Sequence, residues 1–256
     1  MARTLIVNAD DCNLTPGVTR AILDCHDRGI LTSTTFMMNL PVTALTINAM
    51  KKRKNLGVGI HLNITYGPPV SPAKKIQSLI TPGGQFKKRA ALLTGKPRLQ
   101  EIIREYQMQI ERFRKTFGRL PTHLDTHHQL HDDPYYFRAI AEISRRFHLP
   151  VRRSRLISQP EYRRALAVPP TDYFFGNLTP EGFWREEAAV TVLKNLPSGT
   201  SEMMCHPGQD DRQLRSISSF HYGRKMEWQL LRSSRLRNLI RDCGISLSHF
   251  GLCYTS

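Results

Sequence analysis

The chain has 256 residues, 40% hydrophobic and 23% charged, which suits one large soluble α/β domain or two small ones. No apolar stretch approaches the roughly 20 residues of a helical bilayer span, and the N-terminus enters a strand with no secretory leader, so a cytoplasmic protein is expected. The net charge of +16 is spread along the chain without a nucleic-acid module, and five cysteines without CxxC spacing argue against both a disulfide framework and a thiolate zinc cluster.

In chain order, an apolar strand Leu5-Ile6-Val7-Asn8-Ala9 ends in Asp10-Asp11. Thr15-Pro16 reads as an N-cap followed by proline at the first helical position. Val18, Ala21, Ile22 and Cys25 then form a stripe at helical spacing, closed by Gly29. Residues 34–38 predict a second strand and residues 42–53 a second helix, whose basic end, Lys51-Lys52-Arg53-Lys54, suits the helix dipole. Gly57 to Asn63 is a third strand. The stretch 64–97 is irregular and rich in Pro, Gly and Lys, and its length marks a lid or substrate-binding loop.

Leu99, Ile102, Ile103, Tyr106, Ile110 and Phe113 line one face of a long helix that Gly118 and Pro121 end before a strand at 122–128. Asp133-Pro134 caps a helix carrying Phe137, Ile140, Ala141 and Phe147. A short strand is expected at 150–153, an irregular region at 154–178, a helix at about 180–195 and a strand at 201–206. A last helix over about 222–242 and a strand at 245–250 complete the chain. Arg145, Arg146, Arg152, Arg153 and Arg155, the densest basic cluster, read as solvated surface.

Alternating strands and helices imply a mostly parallel sheet covered by helices. With about seven parallel strands, the polar residues at several strand ends favour a distorted TIM-like (β/α) barrel over an open sheet, because barrel sites draw on many strands. No repeat or linker divides the chain, so a single domain over 1–256 is expected.

Four strand-like segments stop at groups that bind metals or move protons: Asp10-Asp11, His61, Asp125 with His127-His128, and His206. Ending an apolar run on such groups is poor core design unless they serve a site. Of the acid pair, one carboxylate can bind a cation while the other takes a proton from water, although a turn or helix cap also explains such a pair. Imidazoles are common ligands of zinc and related metals. Asp125 points to the same side as His127, where it can orient a ligand ring or hold substrate. His206, before Pro207-Gly208, is placed to act as a general acid. His123 reads as structural and His131 as a turn residue. Cys12 and Cys205 have no paired base. A metal-dependent hydrolase is therefore the leading reading, against another barrel hydrolase such as a phosphoesterase, or a nucleic-acid binder using the +16 charge.

The segments Leu5-Ile6-Val7-Asn8-Ala9-Asp10-Asp11, Thr32-Ser33-Thr34-Thr35, Gly59-Ile60-His61-Leu62-Asn63, Pro121 to His128 and Met204-Cys205-His206-Pro207, in that order, resemble the YdjC family. That family includes chitooligosaccharide deacetylases and hopanoid-associated deacetylase-like proteins. The resemblance implies a distorted barrel and metal-dependent removal of acetyl groups from N-acetylated sugars. It assigns one divalent metal ion, magnesium or zinc, to Asp11, His61 and His127, the catalytic base to Asp10 and the proton donor to His206. Asp125, His128 and Tyr66 are the candidate substrate-binding residues. The expected partner is an N-acetylated sugar, with no nucleic acid and no membrane span, and a homo-oligomer is left open. Two departures alter the pocket: Cys12-Asn13 stands where the family usually has Phe-Gly, and Gln129 takes the place of a third histidine.

Overall fold

The computed structural model describes residues 2–176 and 182–254. Its first strand, β1 (Arg3–Cys12), has every side chain from Leu5 to Cys12 buried. A strand covered on both faces belongs inside a parallel sheet. α1 (Pro16–Arg28) follows, with the Thr15 hydroxyl accepting the Val18 amide at 3.1 Å and proline in the first turn. Next come β2 (Ser33–Phe36), α2 (Ala44–Lys51), β3 (Gly57–Leu62), α3 (Arg89–Gly95), α4 (Leu99–Phe117) and β4 (Leu124–Thr126). After α5 (Pro134–Phe147) and α6 (Pro160–Ala165) come β5 (Tyr173–Phe175), α7 (Glu186–Lys194) and β6 (Gly199–Cys205). The last elements are α8 (Arg212–Ile217), α9 (His221–Leu231), α10 (Ser234–Asp242), β7 (Ile245–Ser248) and α11 (Phe250–Cys253).

Among the described residues the strands form a seven-stranded sheet in the order β4-β3-β2-β1-β6-β5, with β7 also pairing β1. The β1–β6, β1–β7, β3–β4 and β5–β6 pairs are parallel. This is the distorted TIM-like α/β class that the alternation of elements predicted. No helix among the described residues is long and apolar enough to cross a membrane.

Two compact units make up the chain: Met1–Thr35, Asn48–Val58 and Thr171–Ser256 in the first, Phe36–Ile47 and Gly59–Pro170 in the second. In the first, the β1 core residues Leu5, Ile6, Val7 and Ala9 are buried along with Val18, Ala21, Ile22 and Cys25 of α1. In the second, α4 buries Ile102, Ile103, Tyr106, Ile110 and Phe113. Each fully buried Leu, Ile or Phe contributes about 1.5–3 kcal/mol. The charge is not evenly spread: the second unit has twenty Lys and Arg against eight Asp and Glu, and residues 64–100 hold seven cations and no acid.

Several expected elements change. The stretch 64–97, expected to be irregular, has structure of its own. It contains a 3-10 turn at Ala73–Lys75, an antiparallel bridge between Ile80 and Phe86, and α3. Buried side chains of α4, spaced four apart, strap it down. Glu105 accepts the amides of Val70 and Ser71, both at 2.9 Å, and Glu101 accepts the Ser78 amide at 2.7 Å. Gln109 accepts the Asn63 amide at 3.1 Å and donates to the Asn63 carbonyl at 2.6 Å.

The strand expected at 150–153 reduces to one bridge, Val151 to Leu124. β5 lies in the region read as irregular, because three residues are too few to show a period. The helix expected over 222–242 is two helices, since Ser233 caps a new start by accepting the Arg235 amide at 3.1 Å. The helix expected from about residue 180 begins at Glu186, and residues 180–181 lie outside the described residues.

Candidate active site

In the first unit the acid pair comes from the end of β1. Strand alternation would send adjacent carboxylates to opposite faces. Asp11, however, has a φ of 62°, so the extended chain turns at this residue. Aspartate and asparagine tolerate this left-handed region better than most residues. The same tolerance explains Asn13, with a φ of 77°, where the family usually has glycine.

Asp10 Oδ1 accepts the Asn8 side-chain amide at 3.0 Å, and its Oδ2 lies 3.8 Å from His206 Nε2. The base and acid candidates therefore face each other. His206 is placed by the end of β6 and by Glu227 of α9. One Glu227 oxygen accepts the His206 amide and the other accepts the Trp184 amide at 3.1 Å. Burial pushes the Glu227 carboxyl up to about 7, although both amides pull it down. Arg224, one helical turn before Glu227, reaches Asp11 Oδ2 at 2.5 Å, and both side chains are buried.

In the second unit, the β3–β4 register sets His61 beside Asp125. Asp125 Oδ1 lies 2.7 Å from His61 Nδ1, and Oδ2 lies 3.1 Å from the Arg152 guanidinium. Burial pushes the Asp125 carboxyl up, but His61 and Arg152 outweigh it and hold the group well below the usual carboxylate range. A carboxylate at Nδ1 keeps the ring proton there and leaves the Nε2 lone pair for another partner. That Nε2 lies 3.2 Å from His127 Nδ1. Two imidazole nitrogens on one tetrahedral zinc, each at about 2.0–2.1 Å, would be about 3.3 Å apart. The pair therefore fits a shared ion.

His128 is exposed, with a φ of 59°. Its ring packs on His127 at 3.9 Å between centroids, and its Nδ1 lies 3.1 Å from the Thr65 hydroxyl. Gln129, in the place of the third histidine, is also left-handed, with a φ of 49°. Tyr66 is half-buried, and its carbonyl accepts the side-chain amides of Asn39 at 2.9 Å and Asn63 at 2.7 Å.

His123 is fully buried against Gly59, where a Cβ would come within 2.4 Å of the ring. His131 is buried too, with its Nδ1 2.6 Å from the Thr126 hydroxyl. Cys12 is buried, and burial pushes its thiol up to about 12, which disfavours a thiolate near neutrality.

Sequence reading missed Arg152, Arg224 and Glu227. Arg152 was placed among solvated arginines. Its signal was the preceding Pro150-Val151, an apolar approach to a strand. Arg224 and Glu227 had none, because charged residues three apart on a helix usually face water.

A parallel α/β barrel-class sheet with carboxylate and imidazole groups at its strand ends defines the class of protein. Residues 4–242 match the family model described as YdjC-like protein. The carbohydrate deacetylase of Clostridium beijerinckii is 32% identical over 247 residues, covering 96% of this chain and 98% of the relative. The chitooligosaccharide deacetylase of Proteus mirabilis is 34% identical over 259 residues, covering 98% of each. A crystal structure from Enterococcus faecalis V583, provisionally named for cellobiose-phosphate cleavage, has a TM-score of 0.88 at 28% identity over 100% of both chains. The family 4 carbohydrate esterase of Streptomyces lividans shares the fold alone, with a TM-score of 0.54 at 9% identity, covering 96% of this chain and 91% of that one. The chain belongs to the YdjC-like family.

Proposed function

We propose that this protein is a metal-dependent carbohydrate N-deacetylase, removing the acetyl group from an N-acetylated sugar such as a chitooligosaccharide and releasing acetate. The observation that carries the reading is the facing nitrogens of His61 and His127, 3.2 Å apart. They occur in a chain whose full-length relatives are named carbohydrate and chitooligosaccharide deacetylases.

In this reading Asp11, His61 and His127 hold one zinc or magnesium ion. When bound, the cation supplies Lewis acidity toward the acetamide carbonyl and the attacking water. Asp10 takes the proton of that water, and Asn8 holds the carboxylate in place at 3.0 Å. His206, its backbone fixed by Glu227, gives a proton to the departing sugar amine. Asp125 holds the His61 ring, and His128 and Tyr66 bind the sugar. The protein acts in the cytoplasm as one catalytic domain over 1–256. The test is acetate release from N-acetylglucosamine oligomers, expected for the native protein and lost in both Asp10→Asn and His61→Ala.

A second reading, hydrolysis of a phosphate ester, is favoured by the seven cations and absence of acids over residues 64–100, and by the name of the Enterococcus relative. Turnover of sugar phosphoesters with none of acetamido sugars would select it.

A further inference from the structure

We propose that Arg152 is a positioning residue for His61, acting through Asp125 to aim the imidazole at the cation. The inference rests on the metal-dependent reading above and adds a residue to it.

β3 and β4 pair His61 with Asp125. On the other edge of β4, Val151 bridges Leu124, the Leu124 amide donates to the Pro150 carbonyl and the Arg152 amide donates to the Leu124 carbonyl, both at 2.9 Å. This sets Arg152 next to Asp125, just as Asp125 stands next to His61. Three side chains thus follow one another across three adjacent segments, and the two oxygens of one carboxylate face different neighbours, at 2.7 Å and 3.1 Å.

Asp125 and Arg152 are both 0% exposed. A buried aspartate held only by a neutral imidazole could rotate about its side-chain bonds and carry the ring with it. A guanidinium anchored by the sheet removes that freedom by holding the second oxygen, and its planar geometry suits a carboxylate better than an ammonium does. Burying a full charge pair is weak evidence for stability in itself, since apolar replacements of similar volume often serve as well. The location, one residue removed from a candidate ligand, gives the pair a different use. Outer partners that orient metal-binding histidines affect metal affinity by about 10–100-fold.

The experiment uses the full chain stripped of metal and titrated with Co(II), comparing the native protein with Arg152→Lys and with the double exchange Asp125→Asn, Arg152→Gln. Lysine keeps the charge but loses the fork, and the double exchange removes both charges together so that neither is left alone in the core. Thermal unfolding without metal checks that each variant is folded. The expected result is a Co(II) dissociation constant raised about 10–100-fold and altered visible absorption bands in a folded variant. Native protein that takes up one Co(II), beside a folded variant with the same affinity and the same bands, overturns the role of Arg152 and leaves the metal reading standing. Native protein that takes up no Co(II) overturns both.

Discussion

Asp125 and His61 are neighbours across the β3–β4 pair, with Asp125 Oδ1 2.7 Å from His61 Nδ1. This one contact decides which imidazole nitrogen keeps its proton and which is left to bind. A main-chain register therefore sets the chemistry of a side chain, and that makes the site testable one residue at a time.

His61→Ala removes one of the two facing imidazoles. Deacetylation is expected to fall by at least about 10–100-fold, since loss of a proposed ligand should cost no less than loss of its outer partner. Dialysis of the native protein against a chelator is expected to abolish acetate release, and added zinc or magnesium to restore it. Activity that survives chelation at full rate would dismiss the metal from the reaction.

Asp10→Asn and His206→Gln test proton transfer. Each is expected to lower kcat by about 10²–10⁴-fold while leaving KM within a few-fold, because the proposed roles act on protons in flight and not on sugar binding. Steady-state kinetics on N-acetylglucosamine oligomers separates the two constants. A variant that raises KM alone would point to a binding role.

Glu105→Ala removes the acceptor of the Val70 and Ser71 amides and of the Gln109 side chain. Leaving buried donors unsatisfied costs about 1–3 kcal/mol each, so a loss of roughly 3 kcal/mol is expected in urea unfolding. Hydrogen exchange at the amides of Val70 and Ser71 should accelerate in the folded variant. Unchanged exchange there would show that the segment is held by other contacts.

Glu227 makes stability depend on pH. Burial raises its folded carboxyl to about 7 from an ordinary 4.5. Between those values the folded protein keeps a proton that the unfolded chain has released, so stability falls as pH rises through this window. The span corresponds to about 3–4 kcal/mol at about 1.4 kcal/mol per pH unit. Melting temperatures of native protein and Glu227→Gln, measured from about pH 4.5 to 7.5, should diverge, with only the native protein losing this increment. Parallel curves would exclude Glu227 as the titrating group.

The elements of the chain were largely legible before folding. Apolar periodicity marked β1, α1 and α4, and the acids and histidines at strand ends announced a site, because strand ends are where an apolar run can meet polar chemistry. Local signals also explain the errors. β5 has three residues, and the Ser233 cap interrupts a stripe that reads as continuous. The segment 64–97 reads as irregular because its anchors, Glu101, Glu105 and Gln109, lie on a different element and register only as polar residues four apart on an otherwise apolar helix face.

Residue type and order alone determined the class of fold, the strand-end histidines and the acid pair, since these depend on which side chains occur at which spacing along one element. The tertiary structure decided what each of them touches. Asp125 became a bridge between His61 and Arg152, and Arg152 moved from the solvated surface to the core, through pairing between segments far apart in sequence. A buried charge is stable only with a partner, and the partner is chosen by register between strands, which no single stretch of sequence contains.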